Sequence, residues 1–270
     1  MRVSGPPTTH NRHHKAVPLV VKDAIRISDI VVEILDARDL KASRNKEIEE
    51  EVSLLGKKII HCVNKIDLVD FDKLKESDEY KSLSNPVGIS VKNRIGIKKL
   101  REKIIIEAKR IKQERRTHVT FIGYPNVGKS SLTNILARRN AVSVSTEAGW
   151  TKSIQKIRLT RDILILDVPG LIKNDEHFGL GQENLKSQAK IGVQTPERMR
   201  NPEFIVAELM KDYSGVLEKY YSVDAKGDAE ILIDELGKRW KFLKKGGLSD
   251  SDRTARKIMK TWMSGEIKKQ

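Results

Sequence analysis

The run Gly123-Tyr-Pro-Asn-Val-Gly128-Lys129-Ser130-Ser131 constrains this chain more than any other nine residues in it. Residues 118–122, HVTFI, read as a strand before it, and residues 129–138 read as a helix after it. A glycine-containing turn between strand and helix lets the backbone curl until its N–H groups, here those of Val127, Gly128 and Ser131 among others, converge at the positive end of the helix dipole. That is a site for phosphate oxygens. Lys129 adds a point charge for β and γ phosphates, and the Ser130 hydroxyl is suited to Mg²⁺. A chance match would explain the string but not its placement.

Such a loop needs a sheet around it, and the pattern supplies one. Val17, Val20, Val21, Ala24 and Ile25 mark one helix face; residues 30–35, IVVEIL, read as a buried strand. The alternation continues with a helix at 44–55, strand 58–63, helix 70–83, strand 86–90, a helix built on Ile97, Leu100, Ile104, Ala108 and Ile111, and strands at 154–160 and 162–167. The expected class is α/β with a mostly parallel sheet. After about Asn174 only helical patterns recur, at 202–211, 213–221, 228–243 and 252–264. The last of these should be capped by Ser249 or Ser251 and ended by Gly265, with Ala255, Ile258, Met259, Trp262 and Met263 as a core face. With 270 residues there is room for two units: a basic leader at 1–16, an α/β domain at 17–173, and a small all-helical domain at 174–270.

A phosphate loop alone does not choose between ATP and GTP. Asn64-Lys65-Ile66-Asp67 does, because it follows a strand at the carboxyl edge of the sheet and offers a carboxylate, Asp67, that can accept from both N1–H and the 2-amino group of guanine. Asp167-Val-Pro-Gly170 closes the strand ILILD, where its Asp would hold Mg²⁺ through water and the Gly170 N–H would meet the γ phosphate. Thr151, between the two, is placed to put its hydroxyl on the same ion. The expected ligands are GTP and GDP with Mg²⁺; an ATP-dependent enzyme is opposed by Asp67.

In ordinary Ras-like GTPases the phosphate loop comes first and the guanine-reading motif late; here NKID precedes GYPNVGKSS, which precedes DVPG. The chain is circularly permuted. This order, with Asp36-Ala37-Arg38 after the first strand and Gly246-Gly247, Asp252-Arg253, Trp262 and Gly265 near the end, closely resembles the RbgA/YlqF family of ribosome-assembly GTPases. The resemblance implies that Ser90-Val91-Lys92 forms the last guanine-contacting loop, with the Val91 N–H facing the base, although Val91 stands where Ala is more usual and Asp39-Leu40 where many relatives carry Pro. It implies that Asn126 coordinates K⁺. The water-orienting Gln expected after DxxG is replaced by Leu171, and the resemblance places that role on a histidine of the leader, His13 by ungapped counting, with His10 and His14 close by. A leader whose histidines only touch RNA is the open alternative. The expected catalytic set is Lys129, Thr151, Gly170 and His13.

The charge fits such a role. Lys and Arg number 52 against 37 Asp and Glu, a net charge of +15, which favours a polyanionic partner. Residues 238–270 and 92–116 each carry eleven basic and three acidic side chains, a net of +8 in each. RNA binding through charge and shape is expected, since aromatics make up only 5% of the chain. No apolar run approaches the length of a membrane span, and the leader lacks the apolar core of a signal peptide. One cysteine, Cys62, excludes an internal disulfide and reads as a small buried hydrophobe. The expectation is a cytoplasmic GTP hydrolase that binds rRNA of a large-subunit precursor under GTP and leaves on hydrolysis. A GTP-gated RNA-binding scaffold with negligible turnover is the alternative, supported by Leu171.

Overall fold

The computed structural model describes residues 19–111, 114–138, 155–167, 196–199 and 201–267. Of Leu19, Val20, Arg138, Gln155, Asp167 and Arg198 it describes only the backbone. His10, His13, His14, Thr151, Gly170 and Leu171 lie outside the described residues.

The elements run α1 (Leu19–Ile27), β1 (Ile30–Asp36), α2 (Leu40–Ser43), α3 (Lys46–Leu54), β2 (Lys58–Asn64), α4 (Phe71–Glu76), α5 (Asp78–Lys81), β3 (Val87–Gly88), α6 (Ile97–Arg110), β4 (Thr117–Ile122), α7 (Lys129–Arg138), β5 (Gln155–Arg158) and β6 (Ile163–Asp167). Then follow α8 (Pro202–Asp212), α9 (Val216–Tyr221), α10 (Ala229–Arg239) and α11 (Ser251–Ser264). The sheet has six strands in the order β3-β2-β1-β4-β6-β5, and only β5 runs antiparallel. The α/β expectation holds because strands buried on both faces need apolar runs without alternation, and every residue of β1 is buried.

The pleat of β1 divides the core in two. Ile30, Val32 and Ile34 face α6 and α7 through Leu100, Ile104 and Leu132, whereas Val31 faces α1 and α3 through Val21, Ala24, Ile25, Ile48 and Val52. Cys62 is fully buried in the first cluster, and that burial pushes its thiol up. The helices after Pro202 build a separate cluster around Leu209, Leu232, Ile258, Met259 and Trp262.

Helix boundaries depart from the expected ones where a polar side chain caps a turn or the backbone enters the left-handed region, as at Gly215 and Lys241. The helix expected at 70–83 is broken at Ser77, which ends α4 and caps α5 by accepting from the Tyr80 N–H at 3.2 Å. The strand expected at 86–90 is confined to Val87 and Gly88, with the Ile89 N–H still donating to the Val63 carbonyl at 2.7 Å before Ser90 turns away to pair with Ile95. α9 starts at Val216 after a left-handed Gly215, and α10 stops at Arg239. The cap of α11 is Asp250, between the two serines expected there, and Gly265 ends the helix at φ 74.

A buried cluster of charged groups joins β1, β2 and α3. Glu33 on β1 stands opposite His61 on β2. Nε2 of His61 lies 3.2 Å from Glu33 and 3.3 Å from Glu49 of α3. Glu33 accepts from the Asn45 N–H at 2.8 Å, and Arg44 pairs with Glu49. Burial alone would push His61 down, but the two carboxylates lift its pKa to about 9. A raised histidine gives stability that is complete below its unfolded value near 6.5 and lost as pH rises through about 9. Thermal unfolding of the wild-type chain should therefore lose stability between about pH 6.5 and 9, by on the order of 3 kcal/mol at most. Burial pushes the Glu33 carboxyl up against the pull of His61, so a Glu33→Gln, His61→Leu double variant, which removes both buried titrating groups, should show no such slope; a flat wild-type profile would refute the raised histidine.

Candidate nucleotide site

Three strand ends build the site. β2, β1 and β4 are adjacent and parallel, so their carboxyl ends emerge together, the edge at which open α/β sheets take ligands. From β4 the chain turns through 123–128 into α7. Asn126 adopts φ 61 and Gly128 φ 103. Asn tolerates this region, but at Gly128 a Cβ would stand 2.2 Å from Asn64 Nδ2, so no side chain fits there. Lys129 and Ser130 open α7, the lysine half-buried and the serine exposed. Loop and helix N-terminus thus form the cradle expected for phosphates.

Asn64, buried at the end of β2, joins this loop to its neighbours. Its Nδ2 donates to the Val127 carbonyl at 2.7 Å, and its Oδ1 accepts from the Val91 N–H at 3.1 Å. The Val91 N–H expected to face a base is therefore engaged with Asn64. Ser90 is fully buried; its hydroxyl accepts from the Asn93 N–H at 3.1 Å and holds the turn of that loop. Asn64, Ser90 and Val127 act as the frame of the site.

Lys65 takes a left-handed φ of 65 and sets its ammonium 2.7 Å from Asp36 Oδ2. Burial lowers the lysine's pKa. Asp36 is completely buried, which would raise its pKa, but the Arg38 and Lys65 cations outweigh burial and hold it at about 2. Asp67 follows in the 3₁₀ turn Ile66–Leu68.

These loops enclose a cavity of about 560 Å³, ample for a nucleotide. Asn64, Lys65, Asp67, Val91 and Lys92 border it on one side; Asn126, Gly128 and Ser131 border it on another. The third side is Pro196 and Glu197 with Lys260, Met263, Ser264 and Gly265 at the end of α11. Sequence reasoning missed this wall, because Met263 read only as part of a core stripe. Of the residues expected on Mg²⁺, Ser130 is described in full, Asp167 by its backbone at the end of β6, and Thr151 lies outside. Gly170 and His13, expected in catalysis, lie outside as well.

A family profile described as 50S ribosome-binding GTPase matches residues 118–219. An uncharacterized GTP-binding protein of Methanocaldococcus jannaschii is 33% identical over 256 residues, which cover 94% of this chain and 67% of that protein. Nucleolar GTP-binding protein 2 of Eremothecium gossypii is 29% identical over 264 residues. The guanine nucleotide-binding protein-like 3 homolog of Caenorhabditis elegans is 26% identical over 286 residues. The chain spans about half the length of these last two, 52% and 50%. Among solved structures, GNP-bound YlqF from T. maritima superposes with a TM-score of 0.67 at 21% identity, covering 92% of this chain and 94% of that one. GDP-bound YlqF gives 0.64 at 22% identity. These two likenesses show the fold. With guanine-side loop, phosphate loop and β6 following one another in permuted order around a shared sheet, the chain belongs to the circularly permuted GTPase family of YlqF and the nucleolar GTP-binding proteins.

Proposed function

We propose that this chain binds and hydrolyses GTP in the maturation of the large ribosomal subunit, engaging rRNA of the precursor in the GTP state and leaving after hydrolysis. The observation that carries this reading is the Asn64 carboxamide, which locks the phosphate loop to the loop at Val91 beside a cavity bordered by Asp67. Asp67 reads guanine; Lys65 and Lys92 flank the base, and the 127–131 amides with Lys129 take the phosphates. Mg²⁺ would be held by Ser130 with Thr151 and Asp167, where it neutralises phosphate charge. K⁺ would sit at Asn126. Gly170 senses the γ phosphate and His13 orients water. Residues 17–173 form the GTPase domain after a basic leader at 1–16.

Residues 174–270 are the particle-binding domain in this reading. Lys241, Lys244 and Lys245 are exposed around the Gly246-Gly247 turn, next to Arg253 stacked on Phe242 at 4.1 Å and Lys257 on Trp240 at 4.1 Å. Such a surface suits a phosphate backbone. Among the described residues no helix is long and apolar enough to cross a membrane; assembly in the cytoplasm is the proposed setting. Turnover measured with and without large-subunit precursors distinguishes a stimulated hydrolase from a scaffold with negligible turnover.

Asp67→Asn should weaken GTP at least about tenfold, the scale of a lost hydrogen bond to a charged group, and improve xanthosine triphosphate, whose 2-oxo group accepts from the new amide. Unchanged GTP affinity in a titration removes the assignment. Hydrolysis should run faster in K⁺ than in Na⁺ at equal ionic strength, and Asn126→Ala should erase the difference. Reversing Lys241, Lys244 and Lys245 to Glu should flatten the dependence of log particle affinity on log salt by roughly 0.7 to 0.9 per lost contact, with GTP affinity preserved. An unchanged slope would place the contact elsewhere.

A further inference from the structure

The last carbonyls of a helix lack partners within it and carry the negative end of its dipole. At the end of α11, where the Trp262 carbonyl also accepts from the Gly265 N–H at 3.1 Å, they are met by cations of the sheet unit. Arg38 donates through Nη1 to the Trp262 carbonyl at 2.9 Å, and Lys92 Nζ lies 3.5 Å from the Gly265 carbonyl. The Arg38 side chain is 2% exposed and forks onto Asp36, Nε to Oδ1 at 3.0 Å and Nη2 to Oδ2 at 2.8 Å. Asp36 in turn holds Lys65. A continuous chain of buried charge-assisted bonds therefore runs from the loop before Asp67, through Asp36 and Arg38, to α11. The packing agrees: Gly265 sits so close to Leu68 that a Cβ would stand 2.9 Å from Leu68 Cδ1, and Trp262, buried, stacks on Tyr213 at 5.0 Å.

We propose that the last turn of α11 is a gate on the nucleotide pocket, latched by Asp36, Arg38 and the Trp262 carbonyl, and that nucleotide enters and leaves only when the latch opens. The proposal rests on the nucleotide reading of the cavity given above. Lys260, Met263, Ser264 and Gly265 already form one wall of that cavity. A buried guanidinium cannot lose one partner cheaply, so the wall is either seated or withdrawn. Arginine is needed because one planar fork must serve a carboxylate and a carbonyl together, which an ammonium does less well. A gate slows entry and release alike, whereas a simple contact slows release only.

Stopped-flow entry and release of a fluorescent GDP analogue on the full chain tests this. Arg38→Lys keeps a positive charge beside Asp36 but loses the fork; Met263→Ala trims the wall at a half-buried position outside the latch. Each should raise both rates together, by about tenfold for the latch variant, the scale of one lost hydrogen bond to a charged group. Asp67→Asn should instead speed release with entry unchanged. Amide exchange on the wild-type chain is a second readout, independent of any variant's folding: GDP should slow exchange at residues 262–266. Unchanged rates in both variants, faster release with unchanged entry, or no protection at 262–266 would overturn the gate. A wild-type chain that fails to bind the analogue would overturn the nucleotide reading itself, and the gate with it.

Discussion

Two hydrogen bonds of the Asn64 carboxamide, one to the carbonyl of Val127 and one from the amide of Val91, hold three separate loops in a single frame. Each loop leaves a different strand; a backbone bond from the Ile66 N–H to the Ile89 carbonyl joins two of them, and the Asn64 side chain brings in the third. The frame also explains the glycine at 128, since the space a Cβ would take is filled by the Asn64 amide. Permutation leaves this joint intact because it changes the order of the strands along the chain and not their order across the sheet. β2 and β4 flank β1 in space, so the loops after them converge whichever comes first in sequence.

Much of the fold was legible because its signals are local. The phosphate loop, the NKID string and the uninterrupted apolar strands each report on fewer than about ten neighbouring residues, and backbone geometry forces the rest. Boundaries set by single side chains were less legible: Ser77 splits one expected helix, and Asp250, flanked by two serines that could cap equally well, starts another. Least legible were contacts between distant parts of the chain. Arg38 and Trp262 lie 224 positions apart, and no periodicity announces that a helix end will face a sheet edge. Nor does a strand pattern reveal that Glu33 will meet His61, since the register of two parallel strands is settled by packing and by the loops between them.

Charge is organised differently in the two halves of the molecule. In the sheet unit the cations that matter are buried and paired, with Asp36 serving Arg38 and Lys65 at once and Glu49 held at about pKa 2 by His61 and Arg44 despite its burial. Pairs of this kind fix geometry more than they add stability, because desolvation offsets much of their attraction. Around 238–257 the cations other than Arg256 are exposed, and several lie over aromatic faces or beside single carboxylates, as Lys257 does over Trp240 and Lys238 beside Asp234. Their attraction for a polyanion is long-ranged and falls with salt.

Both kinds of charge meet on α11. Arg253 and Lys257 lie one turn apart and cover Phe242 and Trp240, while Lys260 and Met263, further along, border the cavity. From Arg253 to Gly265 a helix extends only about 18 Å, and its buried face, Ala255, Ile258, Met259 and Trp262, keeps it a rigid part of the helical core. Such a helix moves as a unit. A polyanion drawn to the exposed cations at one end and a nucleotide seated against the other would therefore act on the same body, and by linkage each would alter the affinity of the other to an equal degree. The sheet unit resists displacement of that body through Arg38, whose buried, charge-assisted contact with the Trp262 carbonyl joins the end of α11 to the loops that frame the cavity.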